Sequence, residues 1–327
     1  MRHILFFVIL PMPGRKLFRR LSMEIICSDC PRRCRARRGD TLPGGICRSP
    51  LLPRVVRAVP HYGEEPCISG TRGAGTIFFS GCSLRCIYCQ NLEISRMRIG
   101  KEVSIERLSK IFLELQQKGA HNINLVTPTH YALQIREAIL SARAQGLSIP
   151  TVWNSSGYEK AETLRALSDV IDIYLTDVKY LDSELSKNFS SAPDYPEVIQ
   201  KAFPEMLRQY PACIYDENGL MRSGVIVRHL VLPGHVRNTE AVLKYLSAFP
   251  KDSFLLSLMS QYTPLRTIEK YPELNRRLTK REYERAVDYA LSLGFTDALI
   301  QEGKAAEESF IPAFDYEGVQ DNRYDFS

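Results

Sequence analysis

The chain has 327 residues, of which 44% are hydrophobic and 24% are charged. This composition is that of a globular protein and excludes a disordered chain, a collagen-like repeat and a coiled-coil rod. The net charge of +6 is unevenly spread: residues 1–60 carry 13 basic and three acidic side chains, a local charge of +10, and the remainder carries −4.

The first 22 residues are predicted to lie outside the fold. Their apolar run, residues 4–10, is too short to span a membrane, and Pro11 and Pro13 follow it. A secretory signal would carry its basic region before the apolar run and small residues after it. We therefore expect residues 1–22 to be an unstructured or non-native extension, with Met23 as an alternative start, and we expect no membrane partner.

The first cysteine group has the spacing C-x2-C-x3-C-x12-C and consists of Cys27, Cys30, Cys34 and Cys47. Four thiolates can close a tetrahedral zinc site or hold a second Fe–S cluster, and the spacing leaves both open. A chain with ample core does not need disulfides, so the pattern favours reduced, metal-binding thiols and a cytoplasmic location. The isolated Cys67 and Cys213 are interpreted as core thiols.

Six arginines accompany this group: Arg32, Arg33, Arg35, Arg37, Arg38 and Arg48. Zinc with four thiolates has a net charge of −2, so stabilisation of the metal–thiolate site explains the arginines locally. A nucleic-acid patch is the alternative. It is disfavoured because such patches interleave aromatic residues, and none lies between Cys27 and Cys47.

Apolar runs of strand length alternate with helical segments along the rest of the chain. The predicted strands are residues 54–59, 76–80, 123–127, 150–154, 171–178, 225–231 and 253–259. The last six are apolar without alternation, which predicts strands covered on both faces. Helices are predicted after the N-caps Ser104 and Thr279, and Pro204 is expected to kink or break the helix over 198–207.

Six strand-then-helix units predict an α/β protein with a partial (β/α)6 parallel barrel, whose function lies at the carboxyl ends of the strands. We divide the chain into the extension 1–22, a Cys-rich metal-binding segment over 23–60 and the barrel with a C-terminal segment over 61–327. Within that segment, residues 310–319 are apolar enough to pack against the barrel or across its mouth.

The second cysteine group, Cys82, Cys86 and Cys89, lies in GCSLRCIYCQN directly after the first barrel strand. Three thiolates on one loop can hold three irons of a [4Fe-4S] cluster and leave the fourth open, whereas a closed zinc site needs a fourth ligand. The spacing C-x3-C-x2-C, with the aromatic Tyr88 before the last cysteine, resembles the signature of the radical S-adenosylmethionine (SAM) superfamily.

The resemblance implies that SAM binds the open iron, that the reduced cluster cleaves it to a 5′-deoxyadenosyl radical, and that this radical takes a hydrogen atom from the substrate. It also implies an electron donor such as flavodoxin or ferredoxin. Backbone around Tyr88 is expected to meet the adenine.

Further stretches resemble the branch related to pyruvate formate-lyase activating enzyme. They are HYGEEPCISGTRGAGTIFFSGCSLRCIYCQN, NINLVTPTHY, PTVWNSSGY, IDIYLTDVKY, VIVRHLVLPGH and LLSLMSQYTP. Better-known activases hold the SAM amino group with a Gly-Gly-Glu turn. The matching turn here, residues 126–130, has no such carboxylate, so carbonyls and the hydroxyls of Thr127 or Thr129 are expected to replace it.

The same resemblance assigns Asn154 and Ser155 to the ribose hydroxyls, and Asp177, Lys179 and Arg228 to the SAM carboxylate or the substrate. Each has a structural alternative, because an Asp–Lys pair at a strand end is often only an ion pair. His229 is interpreted chiefly as a core histidine.

Three functions are compatible with these patterns. The leading one is an oxidoreductase that installs a glycyl radical on a partner enzyme. The second is a radical SAM enzyme acting on a small molecule or a modified peptide. The third, from another class, is a metal-binding adaptor whose Arg-rich segment contacts nucleic acid. It is disfavoured because it gives no role to a three-cysteine loop that leaves one iron open.

Overall fold

The computed structural model describes residues 25–39, 44–97, 99–301 and 312–320. Its strands are β1 (Ile25–Ile26), β2 (Arg37–Arg38), β3 (Arg54–His61), β4 (Ala74–Phe79), β5 (Lys101–Glu102), β6 (Ile123–Val126), β7 (Thr151–Ser155), β8 (Ile173–Asp177), β9 (Ile214–Tyr215), β10 (Met221–Leu230), β11 (Leu255–Met259) and β12 (Leu299–Ile300). Its α-helices are α1 (Pro66–Ser69), α2 (Leu92–Arg96), α3 (Ile105–Gln117), α4 (Ala132–Ala144), α5 (Ala161–Ala166), α6 (Ser183–Ser190), α7 (Tyr195–Gln209), α8 (Val236–Leu246) and α9 (Lys280–Ser292).

One ten-stranded sheet forms the centre of the fold. Its strands follow the order β12-β11-β10-β8-β7-β6-β4-β3-β5, and β9 pairs with β10 outside this path. Neighbouring strands from β4 to β12 along this path pair in parallel, whereas β3 pairs antiparallel with both of its neighbours, β4 and β5. The six predicted units are therefore confirmed as an α/β partial parallel barrel. Two short strands, β5 and β12, form the edges of the described sheet.

The parallel strands are buried on both faces, as their unbroken apolar runs predict. All six residues of β4 and all four of β6 are buried. Helices cover the outer face of the partial barrel, and strand side chains such as Val152, Ile173 and Leu175 pack together on the inner face, so the strands need no polar face.

The amphipathic helices begin at the predicted caps. Ser104 accepts a hydrogen bond from the backbone N–H of Arg107 at the start of α3. Thr279 and Glu282 form a capping box at the start of α9. Caps of this kind stabilise a helix by about 1 kcal/mol. No helix within the described ranges is long and apolar enough to cross a membrane.

Pro204 was predicted to kink or break its helix, and the structure contradicts the break. Helix α7 continues from Tyr195 to Gln209 with Pro204 inside it. A proline here removes the hydrogen bond to the carbonyl of Gln200. Gln200 is exposed, so water can satisfy that carbonyl. The buried Phe203 and Met206 hold the helix against the core on either side of the proline.

The predicted Cys-rich segment, residues 23–60, divides into two parts in the structure. Strands β1 and β2 pair with each other as a small antiparallel ribbon. Strand β3 instead pairs with β4 in the main sheet. The predicted extension, residues 1–22, lies outside the described residues, and the domain boundaries stay predictions.

The C-terminal segment, residues 312–320, packs against the antiparallel side of the sheet. Phe314 contacts Phe78 edge to face, with ring centroids 5.8 Å apart. The backbone N–H of Ala58 donates to the carbonyl of Glu317 over 2.8 Å. This placement agrees with the predicted packing against the barrel, while residues 310 and 311 lie outside the described part of the chain.

We predict that Gly318→Ala detaches this segment from β3. Gly318 has φ +74°, and a Cβ there would lie 2.0 Å from the Ala58 carbonyl oxygen. Hydrogen exchange of the Ala58 amide should therefore accelerate, as measured by mass spectrometry of peptides from β3. Gly294→Ala is the control, because Gly294 has φ +85° with nothing within 4 Å, so it costs only about 1–2 kcal/mol of backbone strain. Unchanged exchange at Ala58 in the Gly318 variant would contradict this prediction.

Candidate active site

A cavity of about 260 Å³ lies at the carboxyl ends of the parallel strands. Residues from six strand ends line it: Phe79, Val126, Asn154, Ser155, Asp177, Arg228, Leu230 and Met259. Parallel strands bring their carboxyl ends to one rim, which is where active sites of such barrels lie.

The second cysteine group lines the same cavity. Cys82, Cys86 and Cys89 all contribute to its wall, and all three are free thiols. Each sulfur has a polar neighbour: the N–H of Leu84 at 3.4 Å for Cys82, Ser190 Oγ at 3.0 Å for Cys86 and Ser95 Oγ at 3.6 Å for Cys89. Burial raises the pKa of the Cys82 thiol, so a metal is needed to hold it as thiolate.

This donor set fits a [4Fe-4S] cluster. Iron–sulfur clusters take soft sulfur ligands, and each cysteine binds a different iron, so the three sulfurs need not converge on one point. Across the described ranges, no group of three or more His, Cys, Asp or Glu side chains is arranged to hold a single metal ion.

Tyr88 joins this loop to the rest of the barrel. Its hydroxyl lies 2.5 Å from that of Tyr180, which lies 2.8 Å from Ser190 Oγ, the neighbour of the Cys86 sulfur. The hydroxyls form a hydrogen-bonded chain that ends at Cys86. Tyr88 also lines the cavity, as its predicted contact with the cofactor requires.

The turn after β6 presents one of its two predicted threonines to the cavity. Thr127 lines it and is held at φ +59° while its N–H donates to the Asn154 carbonyl over 2.9 Å. Thr129 is buried instead, and its hydroxyl donates to Glu159 Oε1 over 2.6 Å. Thr129 is thus directed away from the cavity, because the buried Glu159 carboxyl needs a donor.

Glu159 is buried, and burial raises its pKa to about 7. It also accepts a hydrogen bond from the Trp153 indole N–H over 3.4 Å. Sequence reasoning missed this carboxyl, which links β7 to the turn after β6.

Asn154 and Ser155 both line the cavity, as predicted for ribose-binding residues. Asn154 Nδ2 donates to Glu64 Oε1 over 3.3 Å. Ser155 Oγ accepts from the N–H of Gly157 over 3.3 Å. Their side chains are therefore already oriented by neighbours, and the assignment to ribose stays a prediction.

Asp177 and Lys179 form an ion pair on the cavity wall, with Lys179 Nζ 2.5 Å from Asp177 Oδ2. Burial lowers the pKa of Lys179, but the charges of Asp177 and Cys86 outweigh it, so the pKa is raised overall. The Lys179 cation in turn opposes the burial that raises the pKa of Cys86. The Lys179 ammonium thus lies beside the cysteine loop with its charge balanced by Asp177.

Arg228 is bound by two carboxylates that sequence reasoning did not assign. Its Nε donates to Glu65 Oε1 over 2.7 Å, and its Nη2 contacts both Glu64 and Glu65. Glu64 lines the cavity and also accepts from Asn124 Nδ2 over 2.8 Å. The sequence signal that could have identified them is the pair of adjacent acids directly before Pro66, the first residue of α1.

His229 is a core residue, in agreement with its structural interpretation. Its ring nitrogens are both engaged, at 2.6 Å from the Val178 carbonyl and 2.9 Å from Thr239 Oγ1. Burial lowers its pKa to about 4.

The first cysteine group lies beside the active-site loop, but within the described residues its side chains are not arranged to hold a single metal ion. Cys27, Cys30 and Cys47 are buried and Cys34 is exposed. Cys30 lies within electrostatic range of the other three. Burial raises the pKa of Cys30 to about 12 and that of Cys27 to about 11. The metal of this group, zinc or a second Fe–S cluster, stays a prediction.

One arginine has the local role that the sequence suggested. Arg38 is 1% exposed, lies 3.4 Å from the Cys47 sulfur through Nη2 and 3.7 Å from Asp29 through Nη1. Arg32 instead donates to the Ser83 carbonyl over 2.6 Å. The other four arginines of the set, Arg33, Arg35, Arg37 and Arg48, are exposed, so stabilisation of buried thiolates does not explain them.

A family comparison decides the interpretation of this site. Residues 76–246 match the model of the Radical SAM superfamily. This match covers half of the chain and contains the cysteine loop. The chain belongs to the radical SAM superfamily. The cofactors of this radical SAM enzyme are accordingly a [4Fe-4S] cluster and SAM.

Two relatives extend the match. An uncharacterized protein of Methanocaldococcus jannaschii is 32% identical over 240 residues, covering 70% of this chain and 64% of its own length. The pyruvate formate-lyase-activating enzyme of Clostridium pasteurianum is 24% identical over 215 residues, covering 64% of this chain and 82% of its own. The chain thus spans less than two thirds of the archaeal relative.

Two solved structures resemble the chain at lower sequence identity. Streptococcus suis SuiB bound to S-adenosylmethionine has a TM-score of 0.45 at 14% identity, covering 68% of this chain and 48% of SuiB. A radical SAM methyltransferase from Sphaerobacter thermophilus has a TM-score of 0.49 at 12% identity, covering 71% and 67%.

We predict that the cysteine loop holds a cluster separate from the metal of the first group. Anaerobically reconstituted protein with Cys82, Cys86 and Cys89 all changed to Ala should lose about four irons per chain and keep about one zinc or four irons. Metal analysis and the visible absorption of the cluster measure both. Cys213→Ala is the control and should keep all metal. Full iron in the triple variant would contradict the cluster assignment, and loss of all metal would contradict the second site.

We predict that Glu64→Gln weakens SAM binding. The carboxylate lines the cavity, and losing a charge-assisted hydrogen bond there should weaken binding about tenfold to a hundredfold. Calorimetric titration of the anaerobic, cluster-loaded protein with SAM measures this. Glu65→Gln is the control, because Glu65 contacts Arg228 behind the cavity wall. Equal SAM affinity in the Glu64 variant and the wild type would contradict a contact between Glu64 and SAM.

Proposed function

We propose that this radical SAM enzyme activates a partner enzyme by generating a glycyl radical on it. When bound, a reduced [4Fe-4S] cluster and SAM supply a 5′-deoxyadenosyl radical, which takes a hydrogen atom from the substrate. The observation that carries the proposal is that Cys82, Cys86 and Cys89 share one cavity with the polar side chains of three strand ends, those of β7, β8 and β10.

The chain's own residues suit the binding of SAM. The turn after β6 has no carboxylate of its own. Glu64 offers one from the loop before α1, held by Asn124 over 2.8 Å and by Asn154 over 3.3 Å. We propose that Glu64 binds the SAM amino group, while the Lys179 ammonium binds its carboxylate and Asn154 its ribose.

A glycyl substrate is supported by the relative from Clostridium pasteurianum, which carries the name of a pyruvate formate-lyase-activating enzyme. It is also compatible with the sheet, whose short edge strands β5 and β12 are not paired to each other. A loop of another protein can approach a cavity that is open on one side.

A second candidate, a small-molecule or peptide substrate, is favoured by one contact. Pro312 of the C-terminal segment lines the cavity. A wall contributed by the chain itself narrows the space for a protein loop. Both candidates share the same cofactors and differ only in the source of the hydrogen atom.

We predict that reduced enzyme forms 5′-deoxyadenosine from SAM and a glycyl radical on a protein. Enzyme, SAM and dithionite are incubated with extract separated into protein and low-mass fractions. Chromatography measures 5′-deoxyadenosine, and electron paramagnetic resonance detects the persistent glycyl doublet.

The Cys89→Ala variant is the control and should form neither product, whereas Cys213→Ala should form both. A reduced cluster without 5′-deoxyadenosine would contradict the radical chemistry. 5′-Deoxyadenosine that depends only on the low-mass fraction would contradict the activase and support the second candidate.

A further inference from the structure

The cysteine loop is bound to the end of helix α6 on both sides of Cys86. The backbone N–H of Arg85 donates to the Ser190 carbonyl over 3.1 Å, and the N–H of Ile87 donates to the Phe189 carbonyl over 2.8 Å. Ser190 is the last residue of α6. Two backbone hydrogen bonds therefore fix the position of Ser190 relative to Cys86.

The Ser190 hydroxyl lies between the Cys86 sulfur and a buried tyrosine. Ser190 Oγ is 3.0 Å from Cys86 Sγ and 2.8 Å from the Tyr180 hydroxyl, which is 2.5 Å from the Tyr88 hydroxyl. Ser190 and Tyr180 are fully buried. Burial raises the pKa of the Tyr180 hydroxyl, so this group keeps the hydrogen that it donates. We call the hydroxyls of Ser190, Tyr180 and Tyr88 the donor chain.

The hydrogens of the donor chain have one consistent direction when the loop holds its cluster. A cysteine that binds iron is a thiolate, which accepts hydrogen bonds and cannot donate one. Ser190 then donates its single hydrogen to Cys86, so Tyr180 donates to Ser190 Oγ and Tyr88 donates to the Tyr180 oxygen. All three O–H groups point toward the Cys86 sulfur, and hydrogen bonds aligned in this way strengthen one another.

The hydroxyl beside Cys89 has a different partner for its hydrogen. Ser95 Oγ lies 3.6 Å from Cys89 Sγ but donates to the Leu92 carbonyl over 3.2 Å. A hydroxyl has one hydrogen, and the carbonyl oxygen is both nearer and the stronger acceptor. The donor chain therefore distinguishes Cys86 from Cys89.

We propose that Ser190, supported by Tyr180, raises the reduction potential of the [4Fe-4S] cluster through its hydrogen bond to Cys86. The proposal rests on the binding of the cluster by the cysteine loop and is independent of the substrate. One electron enters the cluster on reduction, and no bond forms or breaks. The added electron makes the thiolate sulfurs more negative, so a donor to sulfur stabilises the reduced state more than the oxidised state. The donor chain thus makes the cluster easier to reduce.

The test measures the midpoint potential of the cluster in variants that each remove one hydroxyl. Ser190→Ala removes the donor to Cys86, and Tyr180→Phe removes the hydroxyl behind it but keeps the ring. Ser186→Ala is the matched control, because Ser186 is equally buried on the same helix and its hydroxyl donates to the Ser183 carbonyl over 3.0 Å.

Anaerobic, cluster-loaded protein without SAM is titrated with dithionite in the presence of redox mediators. Electron paramagnetic resonance measures the fraction of reduced cluster, and the triple Ala variant of the cysteine loop shows which signal belongs to that cluster. Electron–nuclear double resonance in heavy water detects exchangeable hydrogens near it.

Ser190→Ala should make the equilibrium constant for reduction about threefold to tenfold smaller, which lowers the midpoint potential by about 30–60 mV for a one-electron couple. Tyr180→Phe should lower it by less, because Ser190 still donates to Cys86. Ser186→Ala should have the wild-type potential. Ser190→Ala should also lose one exchangeable hydrogen coupled to the cluster, which a general loosening of the helix would not remove.

Equal potentials in the wild type, Ser190→Ala and Tyr180→Phe would overturn the proposal. A fall of the same size in Ser186→Ala would also overturn it, since any small cavity in α6 would then have the same effect. If Ser190→Ala holds less iron than the wild type, Tyr180→Phe decides, because it leaves the backbone hydrogen bonds between the loop and α6 in place. Wild-type protein without a cluster would overturn the cluster assignment as well, whereas a full cluster with unchanged potentials would overturn the role of the donor chain alone.

Discussion

The parallel register of the sheet determines which side chains meet in the active site. Arg228 of β10 is the register partner of Asp177 in β8, and Asn154 of β7 is that of Val126 in β6. Asp177 and Val126 are the last residues of their strands, and their partners lie within two residues of the ends of theirs. A slip of one residue in any strand would turn its terminal polar side chain to the other face of the sheet. The positions of the side chains at the strand ends therefore depend on the packing of helices many residues away, because that packing fixes the register.

Much of this arrangement could be predicted from the sequence, because strands that are buried on both faces of a sheet are unbroken apolar runs in the sequence. The spacing of Cys82, Cys86 and Cys89 was equally informative, since a single loop must place three sulfurs around one cluster. Side chains that reach the site only through the tertiary structure were harder to predict. Glu64 comes from a loop before α1, and only the tertiary structure shows that it reaches Asn154.

Two predictions left alternatives open, and the structure decides between them in a similar way. Thr127 or Thr129 was expected at the cavity; Thr127 lines it, whereas Glu159, far along the chain, takes the Thr129 hydroxyl. Pro204 was expected to kink or break α7, and the helix is not broken, because buried neighbours hold it and an exposed carbonyl can bond water. In both cases a partner distant in sequence, or the solvent, decides an outcome that local pattern leaves open. The arginines of the Cys-rich segment also could not be told apart by local pattern. Arg38 is buried, whereas Arg33, Arg35 and Arg37 are exposed.

The attachment of the C-terminal segment has a consequence for how this enzyme could diversify. The segment is held to β3 by the Ala58 amide and to α3 by Arg107, which donates to the Val319 carbonyl over 3.1 Å. The segment also touches the cavity wall, because Phe314 packs on Phe78 of β4 and both Phe78 and Pro312 line the cavity. Changes in its sequence can thus alter the cavity directly at Pro312 and through the packing of Phe78. The shape of the cavity is therefore coupled to how this segment is attached, and the two cannot change independently.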